Sequence, residues 1–156
     1  GMQAPPALAD EPATVAFARR LAAVAAPGDV VALSGALGAG KTALARAFIR
    51  ARAGDDALAV PSPTFTLVQV YALPSGSVWH VDAYRLSAPD EALELGLDEA
   101  FVDAITLIEW PERIAGLLPA DALLLGLEDG PGADARTLVI EAPARWEARL
   151  AALLDR

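Results

Sequence analysis

The run Gly35-Ala36-Leu37-Gly38-Ala39-Gly40-Lys41-Thr42 has the spacing G-x-x-x-x-G-K-[ST], and Lys41 is the only lysine in the chain. Glycines at such spacing let the backbone turn tightly enough for its N–H groups to surround phosphate oxygens, and the N-terminus of a following helix adds a positive dipole. The candidate cradle is Gly35, Leu37, Gly38, Ala39, Gly40, Lys41, Thr42 and Ala43. Lys41 would neutralise the β- and γ-phosphates of a nucleotide, and Thr42 would offer its hydroxyl to Mg²⁺. With 12 glycines, one lysine and 11 serines plus threonines in the chain, chance supplies about 0.0004 matches to this pattern. Every other basic position among the 12 lysines and arginines is arginine, so a lysine here points to a need for a compact ammonium.

Phosphate chemistry with a metal needs carboxylates nearby. The apolar run Ile105-Thr106-Leu107-Ile108 ends in Glu109, where burial is costly unless a metal or its bound water compensates. In Trp79-His80-Val81-Asp82-Ala83-Tyr84-Arg85 a strand period of two puts His80, Asp82 and Tyr84 on one face. Asp82 is the second candidate for the Mg²⁺ shell or for holding an attacking water, with His80 hydrogen-bonding it or sensing the γ-phosphate. Arg85 reads either as a phosphate contact or as a partner of Glu91 or Glu94, and Trp110 as a stacking or packing residue. The rigid loop Ser62-Pro63-Thr64-Phe65-Thr66 offers Thr64 as a switch residue reporting on γ-phosphate and metal. The catalytic set read from the sequence is Glu109, Asp82, Lys41 and Thr64, and the metal set Thr42, Glu109 and Asp82.

These residues must be held by strands and helices. Asp10 caps a helix with Pro12 in its first turn and Phe17, Leu21, Val24 and Ala25 on one face, ended by Pro27-Gly28. Val30–Ser34 reads as a buried strand, followed by the glycine loop and a helix over Lys41–Ala53 with Leu44, Ala47, Phe48 and Ala51 inward. Arg50, Arg52 and Gly54 supply its C-terminal signals. Phe65–Tyr71 and Val78–Leu86 read as a hairpin across Leu73-Pro74-Ser75-Gly76, and Ser87 as the cap of a helix running to Leu95. Ala104–Trp110 is a strand, Pro111–Leu118 a helix, and Leu123–Leu127 with Thr137–Glu141 a hairpin. A closing helix carries Trp146, Leu150, Leu153 and Leu154 on one face and docks on the body. Alternation of strands and helices around a glycine loop specifies an α/β fold.

Composition narrows the chemistry further. The 156 residues suit one domain, with 1–9 expected as a flexible extension, and 54% hydrophobic content suffices for a core. A net charge of −9 has the wrong sign for gripping nucleic acid directly, so any RNA role is indirect, and no DNA role is expected. The lack of cysteine excludes disulfides, thiolate zinc sites and cysteine nucleophiles, and one histidine excludes a multi-histidine metal centre. Apolar runs are broken by Pro27-Gly28-Asp29 and by Pro119 and Asp121 before reaching membrane-spanning length. The first 12 residues lack the basic flank and apolar run of a secretion signal, and Gly1 before Met2 reads as a remnant of tag cleavage. The expectation is a cytoplasmic protein.

Taken together, Leu37–Thr42 (LGAGKT), Ser62–Val68 (SPTFTLV), His80–Leu86 (HVDAYRL), Glu94–Phe101 (ELGLDEAF) and Ile108–Ile114 (IEWPERI) resemble, in order, the bacterial TsaE (YjeE) family. The likeness spans roughly Leu33 to Pro119. It implies a three-layer P-loop fold whose parallel core carries antiparallel edge strands. It further implies an ATPase subunit of tRNA threonylcarbamoyladenosine synthesis, using ATP and Mg²⁺ beside TsaD and TsaB, with tRNA contacted only indirectly. TsaD carries the transfer chemistry in that family, and ATP turnover resets the complex. By the same likeness Lys41 and Thr42 match the phosphate and Mg²⁺ positions, Glu109 the Walker B carboxylate, Asp82 the HxD acid and Thr64 the switch threonine. Two departures from the family loop GDLGAGKTT are visible, Ala36 in place of the acid and Ala43 in place of the second threonine.

Two rival readings share the glycine loop. A small-molecule kinase usually brings an arginine-rich lid over the phosphates, whereas Gly116–Gly132 holds no arginine. A nucleotide-gated scaffold with little hydrolysis differs from an ATPase only in degree. A GTPase fits less well still, because its guanine-reading motif needs an Asn or Thr followed by Lys, and the chain has no asparagine and no lysine beyond Lys41.

Overall fold

The computed structural model describes residues 7–36, 40–130 and 135–154. Their strands are β1 (Ala7–Leu8), β2 (Val30–Ser34), β3 (Val68–Leu73), β4 (Gly76–Asp82), β5 (Ile105–Glu109), β6 (Leu123–Asp129) and β7 (Arg136–Glu141). The helices are α1 (Glu11–Val24), α2 (Lys41–Ala53), α3 (Pro89–Glu94), α4 (Leu97–Asp103), α5 (Ala144–Glu147) and α6 (Leu150–Leu153), with a 3-10 segment at Pro111–Leu117. The strands form one sheet in the order β1-β7-β6-β2-β5-β4-β3. β6, β2, β5 and β4 run parallel, and β3, β7 and β1 add to the edges antiparallel. This is the mixed α/β architecture expected from the sequence.

Alternation along the strands builds a core on each face. Val31, Leu33, Ile105 and Leu107 pack with Phe17, Leu21, Leu44 and Phe48 of α1 and α2, and with Trp146 and Leu153 of the C-terminal helices. On the opposite face Val30, Val81 and Ile108 meet Ala92, Leu97 and Ile114 from α3, α4 and the 3-10 segment. The helix ends follow their sequence signals. The Asp10 carboxylate accepts the Ala13 N–H at 2.9 Å, and Gly54 closes α2 in the left-handed region at φ 65°. Arg52 ties the two helices together by donating at 3.0 Å to the carbonyls of both Ala22 and Ala25.

Several expected boundaries shift, each for a local reason. β3 starts at Val68 rather than Phe65 because the Leu67 N–H bonds the Pro63 carbonyl at 2.8 Å, with Leu67 left-handed at φ 69°. β4 stops at Asp82 because its carboxylate accepts the Tyr84 N–H at 2.9 Å, a turn that takes Tyr84 off the shared face with His80 and Asp82. Ser87 does not cap α3: its N–H and hydroxyl both bond the Glu91 carboxylate, and α3 begins at Pro89 after Ala88. Glu91 is held below its ordinary value chiefly by that hydroxyl. Gly96, at φ 85°, reverses the chain into α4, a helix that periodicity did not reveal. The helix expected over Pro111–Leu118 is a 3-10 segment interrupted at Ile114, and the closing helix is two single turns, α5 and α6. Of the expected extension 1–9, residues 1–6 lie outside the described residues, and Ala7–Leu8 pair with β7, with Leu8 buried in the core.

The C-terminal turns are anchored by a carboxylate. The buried Asp29, just before β2, accepts the Ala26 N–H at 2.7 Å, Arg145 Nε at 2.9 Å and Arg149 Nη1 at 2.6 Å. Arg149 also lies over the Trp146 ring at 4.2 Å. Removing the carboxylate takes their shared acceptor from a backbone N–H and two arginines, so Asp29→Ala should cost about 2–4 kcal/mol. Urea unfolding followed by tryptophan fluorescence measures it, and a loss below about 0.5 kcal/mol would contradict this anchoring role.

Candidate phosphate-binding and catalytic site

The glycine loop joins the C-terminal end of central strand β2 to the N-terminus of α2. Gly35 at φ 140° and Gly40 at φ 97° occupy backbone regions that side chains disfavour, so glycine is needed at both ends of the loop. Leu37, Gly38 and Ala39 of the expected cradle lie outside the described residues. Lys41 turns back under the loop: its Nζ donates to the Gly35 carbonyl at 2.5 Å and the Ala36 carbonyl at 3.0 Å. Its ammonium also lies 4.0 Å from the centre of the Trp110 ring. Burial pushes the Lys41 pKa below 10.5, against the opposing pull of Glu109, Glu112 and Asp82.

Parallel pairing of β4 with β5 sets Asp82 opposite Glu109 and His80 opposite Leu107. The alternation that sends Ile105 and Leu107 toward α2 sends Glu109 there too, and His80 and Asp82 share that face with Val78. The Thr42 hydroxyl, in the first turn of α2, donates to Glu109 Oε1 at 2.8 Å. His80 Nε2 lies 2.7 Å from Glu109 Oε2, with the two side chains 0% and 4% exposed. Thr64 reaches Asp82 Oδ2 at 3.4 Å and pairs with the Ser62 hydroxyl at 2.8 Å. Lys41, Thr42, Glu109, Asp82 and Thr64, chosen from residue type and spacing, thus surround the head of α2, with Ala43 in its first turn.

Three details depart from the sequence reading. His80 bonds Glu109 rather than Asp82. Arg85 sits over the exposed Phe65 ring at 5.0 Å, and the carboxylate of Glu91, one of its expected partners, is taken by Ser87. Trp110 has a role that its type alone left open: at φ 58° it leaves β5 in the left-handed region, and its ring contacts both the Lys41 ammonium and the Tyr84 ring, 4.8 Å from the latter. The only sequence signal for that turn was the proline that follows.

Among the described residues there is no group of three or more His, Asp or Glu side chains able to hold a metal alone. Mg²⁺ rarely uses such a cage; it takes one or two protein oxygens and completes its shell with water and phosphate. A hydroxyl bonded to a buried carboxylate, with a second carboxylate on the adjacent strand, fits that donor set.

The chain matches the family model described as threonylcarbamoyl adenosine biosynthesis protein TsaE over residues 8–138. The chain belongs to the TsaE family. It is 42% identical over 121 residues to the tRNA threonylcarbamoyladenosine biosynthesis protein TsaE of Rickettsia bellii, covering 78% of this chain and 83% of that one. To the TsaE protein of Bacillus subtilis it is 38% identical over 130 residues, covering 83% and 79%. The crystal structure of Bacillus subtilis YdiB superposes with a TM-score of 0.79 at 29% identity, covering 98% of this chain and 95% of that one.

The departures of this TsaE chain from the family loop can be placed on the site. The Ala36 atom in use is its main-chain carbonyl, which does not depend on the side chain. Since Lys41 is the sole lysine, its titration is directly observable. In a chain carrying ¹³C-labelled lysine, the Cε shift should titrate with a midpoint below 10.5, and a midpoint at or above 10.5 would contradict the burial effect. The linked stability has a definite sign. Between the lowered folded value and 10.5 the unfolded chain binds more protons, so the contribution of Lys41 rises with pH across that window.

Proposed function

We propose that this TsaE chain binds ATP with Mg²⁺ and hydrolyses it to ADP and phosphate, and that it does so as the ATPase of tRNA threonylcarbamoyladenosine biosynthesis, acting with TsaD and TsaB. The observation that carries the reading is the meeting of Thr42, Glu109 and Asp82 at the head of α2, with Lys41 as the neighbouring cation. The names of the relatives supply the pathway.

In hydrolysis, water attacks the γ-phosphorus, the bond from γ-phosphorus to the β,γ-bridging oxygen breaks, and the attacking water gives up its proton. Mg²⁺ supplies neutralisation of charge on the phosphate oxygens. Lys41 exchanges two loop carbonyls for phosphate oxygens, which relieves an ammonium now buried against neutral acceptors. Thr42 and Glu109 would hold the metal and its water. Asp82, with its second oxygen within reach of Thr64, would orient the attacking water and accept its proton. The net charge of −9 supports contact with tRNA by way of partner proteins.

ATP hydrolysis measured alone and with TsaD and TsaB from the same organism tests the proposal, with Lys41→Ala as the control. Slow turnover that rises with the partners is the expected result. Asp82→Asn and Glu109→Gln should each lower kcat by about 10²-fold or more while nucleotide still binds. Bound nucleotide without turnover under any condition would overturn the ATPase reading in favour of a nucleotide-gated scaffold.

A further inference from the structure

His80 is the chain's only histidine, it is fully buried, and it stands outside the set that would touch nucleotide or metal. One ring nitrogen, Nε2, meets Glu109 Oε2 at 2.7 Å. The other, Nδ1, is buried and has no hydrogen-bond partner among the described residues. A carboxylate can only accept, so Nε2 carries the hydrogen of this bond, and Nδ1 is left without a partner among the described residues. An imidazole with half its polar capacity unused is a poor choice for packing alone, where an apolar side chain would fill the space without an orphaned atom. What the imidazole does supply is a fixed donor at one oxygen of Glu109, while the Thr42 hydroxyl holds the other.

From this geometry we infer that His80 is the positioning residue for Glu109, locking the carboxylate against Thr42 so that its remaining lone pairs are already aimed when Mg²⁺ arrives. The inference rests on the nucleotide and Mg²⁺ reading above. Sheet register makes the lock rigid. His80 is two residues before Asp82 on the same face, so the imidazole lies one step down β4 beside the carboxylate that ends β5. With the ring removed, Glu109 keeps, among the described residues, only its side-chain bond to Thr42 on α2, and the carboxylate is free to rotate away from the helix head.

Calorimetric ADP binding to the full chain, with Mg²⁺ and separately with EDTA, tests this. His80→Leu should weaken the Mg²⁺-dependent affinity by about tenfold or more and leave the EDTA affinity unchanged. His80→Gln, whose amide N–H can reach the position of Nε2, should restore most of the loss. A merely structural role would lower both affinities together and would not be rescued selectively. The ¹⁵N spectrum of the single histidine in nucleotide-free protein gives a second readout, usable even where His80→Leu fails to fold. It should show a hydrogen on Nε2; a bare Nε2 would overturn the inference. Unaltered Mg²⁺ dependence in His80→Leu, alongside its loss in Glu109→Gln, would overturn positioning alone. Wild-type protein with no Mg²⁺-dependent nucleotide binding would bring down the nucleotide reading and this inference with it.

Discussion

The Glu109 carboxylate ends a strand buried along its whole length, and the interior tolerates it there only with both oxygens partnered. That requirement reaches through much of the molecule. One partner, Thr42, must come from the first turn of α2, so α2 has to begin directly above the end of β5. The other, His80, must come from β4, so β4 has to pair with β5 in parallel and in the one register that sets Asp82 against Glu109. A shift of one residue would turn His80 and Asp82 to the α3 and α4 face and leave the carboxylate unmatched.

A second constraint acts on the opposite charge. Lys41 is buried at the mouth of the loop, where two backbone carbonyls and an aromatic face replace water. For Trp110 to present that face, the chain leaves β5 through a left-handed residue, and Pro111 then starts the 3-10 segment. Left-handed backbone at a tryptophan is strained, and such strain is retained where the surroundings over-determine it. Here they include the tilted contact with Tyr84, which in turn lies beneath the Arg113 guanidinium at 5.2 Å.

The parts of this molecule legible in the sequence are those governed by short-range rules. The glycine loop, the Asp10 cap, the Gly54 terminator and the strand ending in Glu109 each need only a few neighbouring residues to be recognised, and the carboxylates and hydroxyls around the loop follow from residue type. What escaped was decided by tertiary contacts. Strand alternation puts His80 beside Asp82 on one face, but only the register of β5 tells which carboxylate it meets. Tyr84 satisfies the same alternation, yet a single hydrogen bond from its N–H to Asp82 ends the strand before it. Asp29 registers in the sequence only as part of the Pro27-Gly28-Asp29 break in an apolar run, because its arginine partners lie more than a hundred residues away. Helix α4 carries too few turns for periodicity to register.

Two of the buried carboxylates, Asp29 and Glu109, divide the work of the sheet. Asp29 sits before the N-terminal end of β2 and draws the C-terminal helices onto the body through two arginines. Glu109 sits at the opposite end of the neighbouring parallel strand, beside the loop that follows β2. Parallel strands place their carboxyl ends, and hence the chemistry, at one edge of the sheet. A polar anchor at the other edge can therefore be tight and permanently paired without constraining the loop. The hydrogen bonds around Glu109 and Lys41 are of the other kind: two backbone carbonyls accept from Lys41 and a hydroxyl donates to Glu109, partners that a phosphate or a hydrated cation could displace or join. On the proposed nucleotide reading, stability is held where no ligand has to enter, and exchangeable hydrogen bonds are kept where one would.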